Sequence, residues 1–133
     1  MKLAPTVIIH GLPHAQAALA AARPVTLLSA PGAGAYAGVG WWRALVAAAV
    51  GQAPPHTLAD DILDCGAAPG RALEALRAGQ RLLVLRAVPG VFADLSERAA
   101  AQGATLMPVP PPALDLAGRA NMRLLAAWLA GAE

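Results

Sequence analysis

Glycines 32, 34 and 38 fall within Ser29-Ala30-Pro31-Gly32-Ala33-Gly34-Ala35-Tyr36-Ala37-Gly38-Val39-Gly40, between an apolar run and an Ala-rich stretch. A glycine-rich turn from strand to helix brings backbone N–H groups close to an anion, and the helix end adds attraction. The spacing is G-x-G-x-x-x-G, one residue longer than the dinucleotide fingerprint. The next acid at a strand end, Asp64, lies further on than the roughly 20 residues of that motif. No G-K-[ST] is present, so a P-loop is excluded. The same glycines also serve a plain structural purpose, a tight turn that lets a helix pack closely on a sheet.

A second concentration is Asp64-Cys65-Gly66, after a short apolar run and before Pro69-Gly70. Cys65 is the only cysteine, so an intrachain disulfide and a multi-cysteine metal site are excluded. A thiolate beside a basic group is a nucleophile; His10 is the candidate partner, and a small buried hydrophobe is the alternative. His10 and His14 are separated by Gly11 and Pro13, which speaks against a helical i,i+4 metal pair, and no metal site is expected. Arg43 and Arg86 supply positive charge for a carboxylate or phosphate.

The elements that must position these residues show in the hydropathy pattern. Short apolar runs occur at Thr6–Ile9, Val25–Ser29, 62–64, 81–86 and 104–109, each followed by a turn signal and an Ala/Leu-rich helical stretch. Short, continuously apolar runs fit strands buried on both faces of a parallel sheet, and their alternation with helices marks βαβ units. The expected fold is α/β: a three-layer, doubly wound, parallel five-stranded sheet, (βα)5, flavodoxin-like or Rossmann-like, in strand order 2-1-3-4-5. One domain is expected over residues 1–133. The second helix is expected over residues 36–50. The fifth is expected after Pro110-Pro111-Pro112, carrying Leu114, Leu124, Leu125, Trp128 and Leu129 and an Asp115–Arg119 pair. Asp60-Asp61 reads as a polar loop.

In such sheets ligands bind beyond the carboxyl ends of the strands. The candidate ligand-binding residues are therefore Ser29, Gly32, Gly34, Tyr36, Gly38, Arg43, Asp64, Cys65, Gly66 and Arg86, and His10 falls at the same edge.

The segment Asp64-x-Gly66-x-x-Pro69-Gly70, with its following amphipathic helix and strand, resembles motif I of class I S-adenosylmethionine-dependent methyltransferases over about residues 61–108. That resemblance implies a turn that cradles S-adenosylmethionine, with Asp64, Gly66, Pro69 and Gly70 matching its pattern.

Ten Lys and Arg against eight Asp and Glu leave a net charge of +2, and all the bases but Lys2 are scattered arginines. With only five aromatic residues, this is a poor footprint for nucleic acid. The uncharged run 24–42 is broken by prolines and glycines, so no membrane span is expected, and a cytoplasmic location follows. Three functions compete. The first is a domain binding a small anionic ligand. The second is a non-enzymatic homo-oligomeric interaction module, suggested by the 57% apolar content and by the scarcity of convergent acid, base and nucleophile. The third is a degenerate S-adenosylmethionine-binding domain.

Overall fold

The computed structural model describes residues 2–118 and 120–131. Five strands alternate with helices and a sixth follows the fifth directly, in an α/β arrangement: β1 (Thr6–Ile9), α1 (Leu12–Ala20), β2 (Val25–Ser29), α2 (Ala33–Tyr36), α3 (Val39–Gly51), β3 (Leu58–Asp64), α4 (Pro69–Arg77), β4 (Leu82–Val84), α5 (Pro89–Ala101), β5 (Thr105–Met107), β6 (Ala113–Asp115) and α6 (Leu125–Leu129), the last preceded by a 3₁₀ turn at Asn121–Leu124. The strands form one parallel sheet in the order β5-β4-β3-β2-β1-β6.

Two expectations are corrected here. The sheet has six strands, not five, and β2 lies between β1 and β3, so the order 2-1-3-4-5 does not hold. From β1 to β5 the chain steps in one direction, and the only reversal is at β1, which has β2 on one side and β6 on the other.

The apolar runs become strands because they are buried. All five residues of β2 and all three of β4 are buried. β3 is longer than expected. It begins at Leu58, so Asp60 and Asp61 are strand residues near its start and not a loop.

The expected second helix is two helices. Gly38 adopts φ +99° between α2 and α3, a conformation L side chains rarely adopt, and so breaks a run that is apolar but for Arg43. The expected fifth helix is also corrected. Ala113, Leu114 and Asp115 pair with β1 as a strand, Leu124 is exposed, and only Leu125–Leu129 is α-helical. Arg119, the expected partner of Asp115, lies outside the described residues.

The chain divides into two compact units: Met1–Leu28, Arg43–Asp61 and Pro111–Glu133 in the first, Ser29–Trp42 and Ile62–Pro110 in the second. In the first, α1 packs on β1 and buries Ala15, Ala18 and Leu19. The Trp128 indole N–H donates to the Thr6 carbonyl at 2.8 Å, tying the C-terminal segment to β1. In the second, α4 packs on α5 and α5 on β5. Helix α4 buries Ala72, Ala75 and Leu76, while Arg71 and Glu74 pair on its wet side at 2.9 Å. The Gln102 amide donates to the Leu76 carbonyl at 2.7 Å, holding the ends of α4 and α5 together. Of the adjacent tryptophans, Trp42 is fully buried and Trp41 half-buried.

Two positions test this packing. A Cβ on Gly34 would lie 3.1 Å from the Asp64 carbonyl oxygen, Cys65 Sγ and Leu63 Cγ, whereas one on Gly40 would meet nothing within 4 Å. Gly34→Ala is expected to destabilise by about 1–3 kcal/mol through overpacking, and Gly40→Ala, in a helix, to stabilise by up to about 1 kcal/mol. Urea unfolding of the two variants checks both. The Thr26 hydroxyl in β2 is fully buried and has no hydrogen-bond partner among the described residues. Thr26→Val removes that penalty and is expected to raise stability by about 1 kcal/mol in the same measurement.

Candidate functional site

The second unit collects most of the expected binding residues at the carboxyl ends of its strands. The β3–β4 ladder continues past Asp64, because the Cys65 N–H donates to the Val84 carbonyl at 2.8 Å and the Arg86 N–H to the Gly66 carbonyl at 2.8 Å. Arg86, exposed at the end of β4, is thereby fixed beside the turn at Gly66. That turn is left-handed, with φ +59°; a Cβ on Gly66 would lie 3.3 Å from the Gly32 Cα and 3.8 Å from a terminal nitrogen of Arg86. Gly32 is itself left-handed at φ +73° and stands as N-cap of α2. Two glycine turns and one guanidinium thus meet, and neither turn suits a side chain. Tyr36, 72% exposed, lies with its ring 4.0 Å from where a Gly32 Cβ would be.

The polar side chains below this edge are committed to structure. The Asp64 N–H donates to Ser29 Oγ at 2.9 Å, and both residues are buried. The Gly66 N–H donates to Asp64 Oδ1 at 2.8 Å. Asp64 therefore closes its own turn, and Ser29 links β2 to the end of β3. Gly34 serves contact between α2 and that same strand end. Gly38 is the break between helices, with open space around it.

Cys65 is fully buried. Burial, then the neighbouring Asp64 and Glu74 carboxylates, pushes its thiol up to about 12. It is a packed hydrophobe with a protonated sulfur, not an activated nucleophile. Arg43 is exposed on α3 and belongs to the first unit.

The first unit holds a cluster that the sequence did not reveal. His10 Nε2 is 2.7 Å from Asp115 Oδ1, and the His10 N–H donates to His14 Nδ1 at 3.1 Å. The Ala117 N–H donates to the same carboxylate oxygen at 2.9 Å, and the Asn121 amide donates to the Asp115 carbonyl at 2.8 Å. Burial pushes the Asp115 carboxyl up. The Ala117 and His10 hydrogen bonds and the two nearby imidazoles outweigh it and hold the carboxyl below its ordinary value. His10 was legible as a strand-end residue. Asp115 was not, because its strand is three residues long and its partner lies over a hundred positions away.

Among the described residues, no group of three or more His, Cys, Asp and Glu side chains is arranged to hold a metal ion. None of the described helices is long and apolar enough to cross a membrane. No protein-family model matches the chain, and no curated protein matches its sequence. The class is thus set by the fold alone: an α/β domain on a parallel sheet flanked by helices.

Because the folded carboxyl of Asp115 titrates below the unfolded one, the unfolded chain takes up the proton first as pH falls. Its contribution to stability is complete above the ordinary value of 3.8 and is lost as pH drops through the lower folded value. Urea midpoints of wild type and Asp115→Asn, measured from about pH 6 to about pH 2, are expected to converge at the acid end.

Proposed function

We propose that the protein binds a small anionic ligand, a phosphate or carboxylate compound, at the carboxyl ends of the strands of the second unit. The observation that carries this reading is the meeting of Arg86 with the left-handed turns at Gly32 and Gly66. Glycine at both turns leaves the backbone bare, so a ligand can approach it as no Cβ would permit. Arg86 supplies a planar, permanently charged fork suited to paired oxygens, and Tyr36 offers an exposed ring beside Gly32. The ligand is held by backbone and guanidinium, with Ser29 and Asp64 supporting the turns from beneath.

The same arrangement bears on the S-adenosylmethionine reading. Asp64 spends one carboxylate oxygen on its own turn, and the residue at the next strand end is the cation Arg86. A cation there favours an anionic group over ribose hydroxyls, which an acid would accept.

A thermal-shift panel on the whole protein tests this, with phosphate, sulfate, sugar phosphates, mono- and dinucleotides and S-adenosylmethionine. A ligand at 100 times its Kd adds about 2.7 kcal/mol to stability. A shift by phosphorylated or carboxylated compounds is expected. Arg86→Ala, which keeps the backbone bond to Gly66, is expected to weaken binding by roughly 10-fold to 100-fold, the worth of a charge-assisted hydrogen bond. Affinities that Arg86→Ala leaves unchanged, or a panel without any anion effect, would overturn the proposal.

A further inference from the structure

The reversal of strand order at β1 falls within the first unit. On one side the Thr26 N–H of β2 donates to the Pro5 carbonyl at 2.9 Å. On the other, β6 pairs in parallel, with Thr6 opposite Ala113 and Ile8 opposite Asp115. In open parallel sheets, connections part at such a point and leave a crevice at the carboxyl ends. His10 follows β1 at that edge, and Asp115 is the last residue of β6.

The hydrogen bonds assign the protons. An ionised carboxylate can only accept, so the hydrogen between His10 Nε2 and Asp115 Oδ1, 2.7 Å apart, sits on the imidazole. The neutral ring then carries its lone pair on Nδ1. His14, in the first turn of α1, accepts the His10 N–H on its own Nδ1 at 3.1 Å, which places its hydrogen on Nε2. The two rings meet edge to face, with centroids 5.7 Å apart and planes at 87°. The His10 and Asp115 side chains are 36% and 43% exposed, so a small molecule can reach them.

The cluster therefore pairs an imidazole base, oriented by a carboxylate, with an imidazole N–H donor. A base within hydrogen-bond reach of an orienting group is the general-base arrangement. The hydrogen-bonded members are two imidazoles, a carboxylate and the Asn121 amide, with no hydroxyl or thiol to act as nucleophile. A base beside an N–H donor, without such a nucleophile, suits proton transfer on the substrate itself.

We propose that His10 is a general base, positioned by Asp115, which removes the proton next to the carbonyl of a small oxo compound while His14 Nε2–H bonds the oxygen of the resulting enolate. The C–H electron pair becomes the C=C bond, and the carbonyl π pair moves to oxygen. The proton goes to His10 Nδ1, where the imidazolium faces the Asp115 carboxylate. Returning that proton to carbon regenerates the base, so no co-reactant is needed. The enolate oxygen beside His14 lies near the positive end of the nine-residue helix α1, which favours negative charge there. This reaction is independent of the anion site proposed above, since none of its residues belongs to the second unit.

The whole protein in D2O, with dihydroxyacetone and pyruvate as probes, tests this by the loss of C–H proton signals. Exchange is expected at least ~100-fold faster than with free imidazole at equal concentration, the usual lower worth of a positioned base. His10→Gln is expected to remove the excess. Asp115→Asn keeps an oxygen that accepts from Ala117 and His10 but removes the charge facing the imidazolium, and is expected to reduce the excess while nitrogen-15 spectra still show the His10 proton on Nε2, a combination that loss of packing would not produce. Exchange no faster than free imidazole, full activity in His10→Gln, or a wild-type His10 proton on Nδ1 would each overturn the proposal. Should Asp115→Asn unfold, the wild-type nitrogen spectrum and His10→Gln decide it.

Discussion

A strand such as β2, with every residue buried, can place its backbone N–H and C=O groups only on neighbouring strands. An unpaired group there would cost as much as a lost hydrogen bond. That demand fixes the sheet, and the sheet moves polar chemistry outward. Along β2 and β4 no exposed position remains for a side chain to act on a ligand. Both clusters described above therefore sit at strand ends, where the ladder stops and the chain turns.

The two clusters solve the turning problem differently. At Asp64–Gly66 the turn is closed from within: a carboxylate accepts a backbone N–H two residues on, and a serine hydroxyl from β2 accepts another. The side chains are consumed, and what faces outward is glycine backbone with one arginine. At β1 and β6 the carboxylate of Asp115 also takes a backbone N–H, but the same oxygen engages His10 as well, leaving imidazole faces toward solvent. The first arrangement suits a ligand that needs donors and charge, the second one that exchanges a proton.

Much of this was legible in the sequence because burial writes itself into composition. Val25–Ser29 is apolar enough to be read as a doubly covered strand, and α4 opens on Pro69 and is followed by the left-handed Gly79, a proline and a glycine where helix ends favour them. The Gly32 loop, Gly66 and Arg86 could each be placed at a strand end, but that they meet shows only in the fold. Three features were not legible. Ala113-Leu114-Asp115 is too short to carry a period and follows three prolines, so only its pairing with Thr6, Val7 and Ile8 makes it a strand. The break at Gly38 is a backbone conformation inside a run that is apolar but for Arg43. The strand order depends on long-range pairing that local pattern does not encode. Asp115 reaches His10 only because β6 pairs with β1.

The bond from the Trp128 indole to the Thr6 carbonyl spans 122 positions, and it sets an order of events during synthesis. The second unit is built from residues 29–42 and 62–110, whereas the first also needs 111–133. As the chain emerges from the ribosome, β1 (Thr6–Ile9) comes out well before its neighbour β6 (Ala113–Asp115). Until then that edge of β1 has no strand beside it, and such an edge is a template for pairing with other chains. Contacts of this separation are slow to form. The second unit can thus mature before β6 is made, and the imidazole cluster assembles only once Asp115 has emerged.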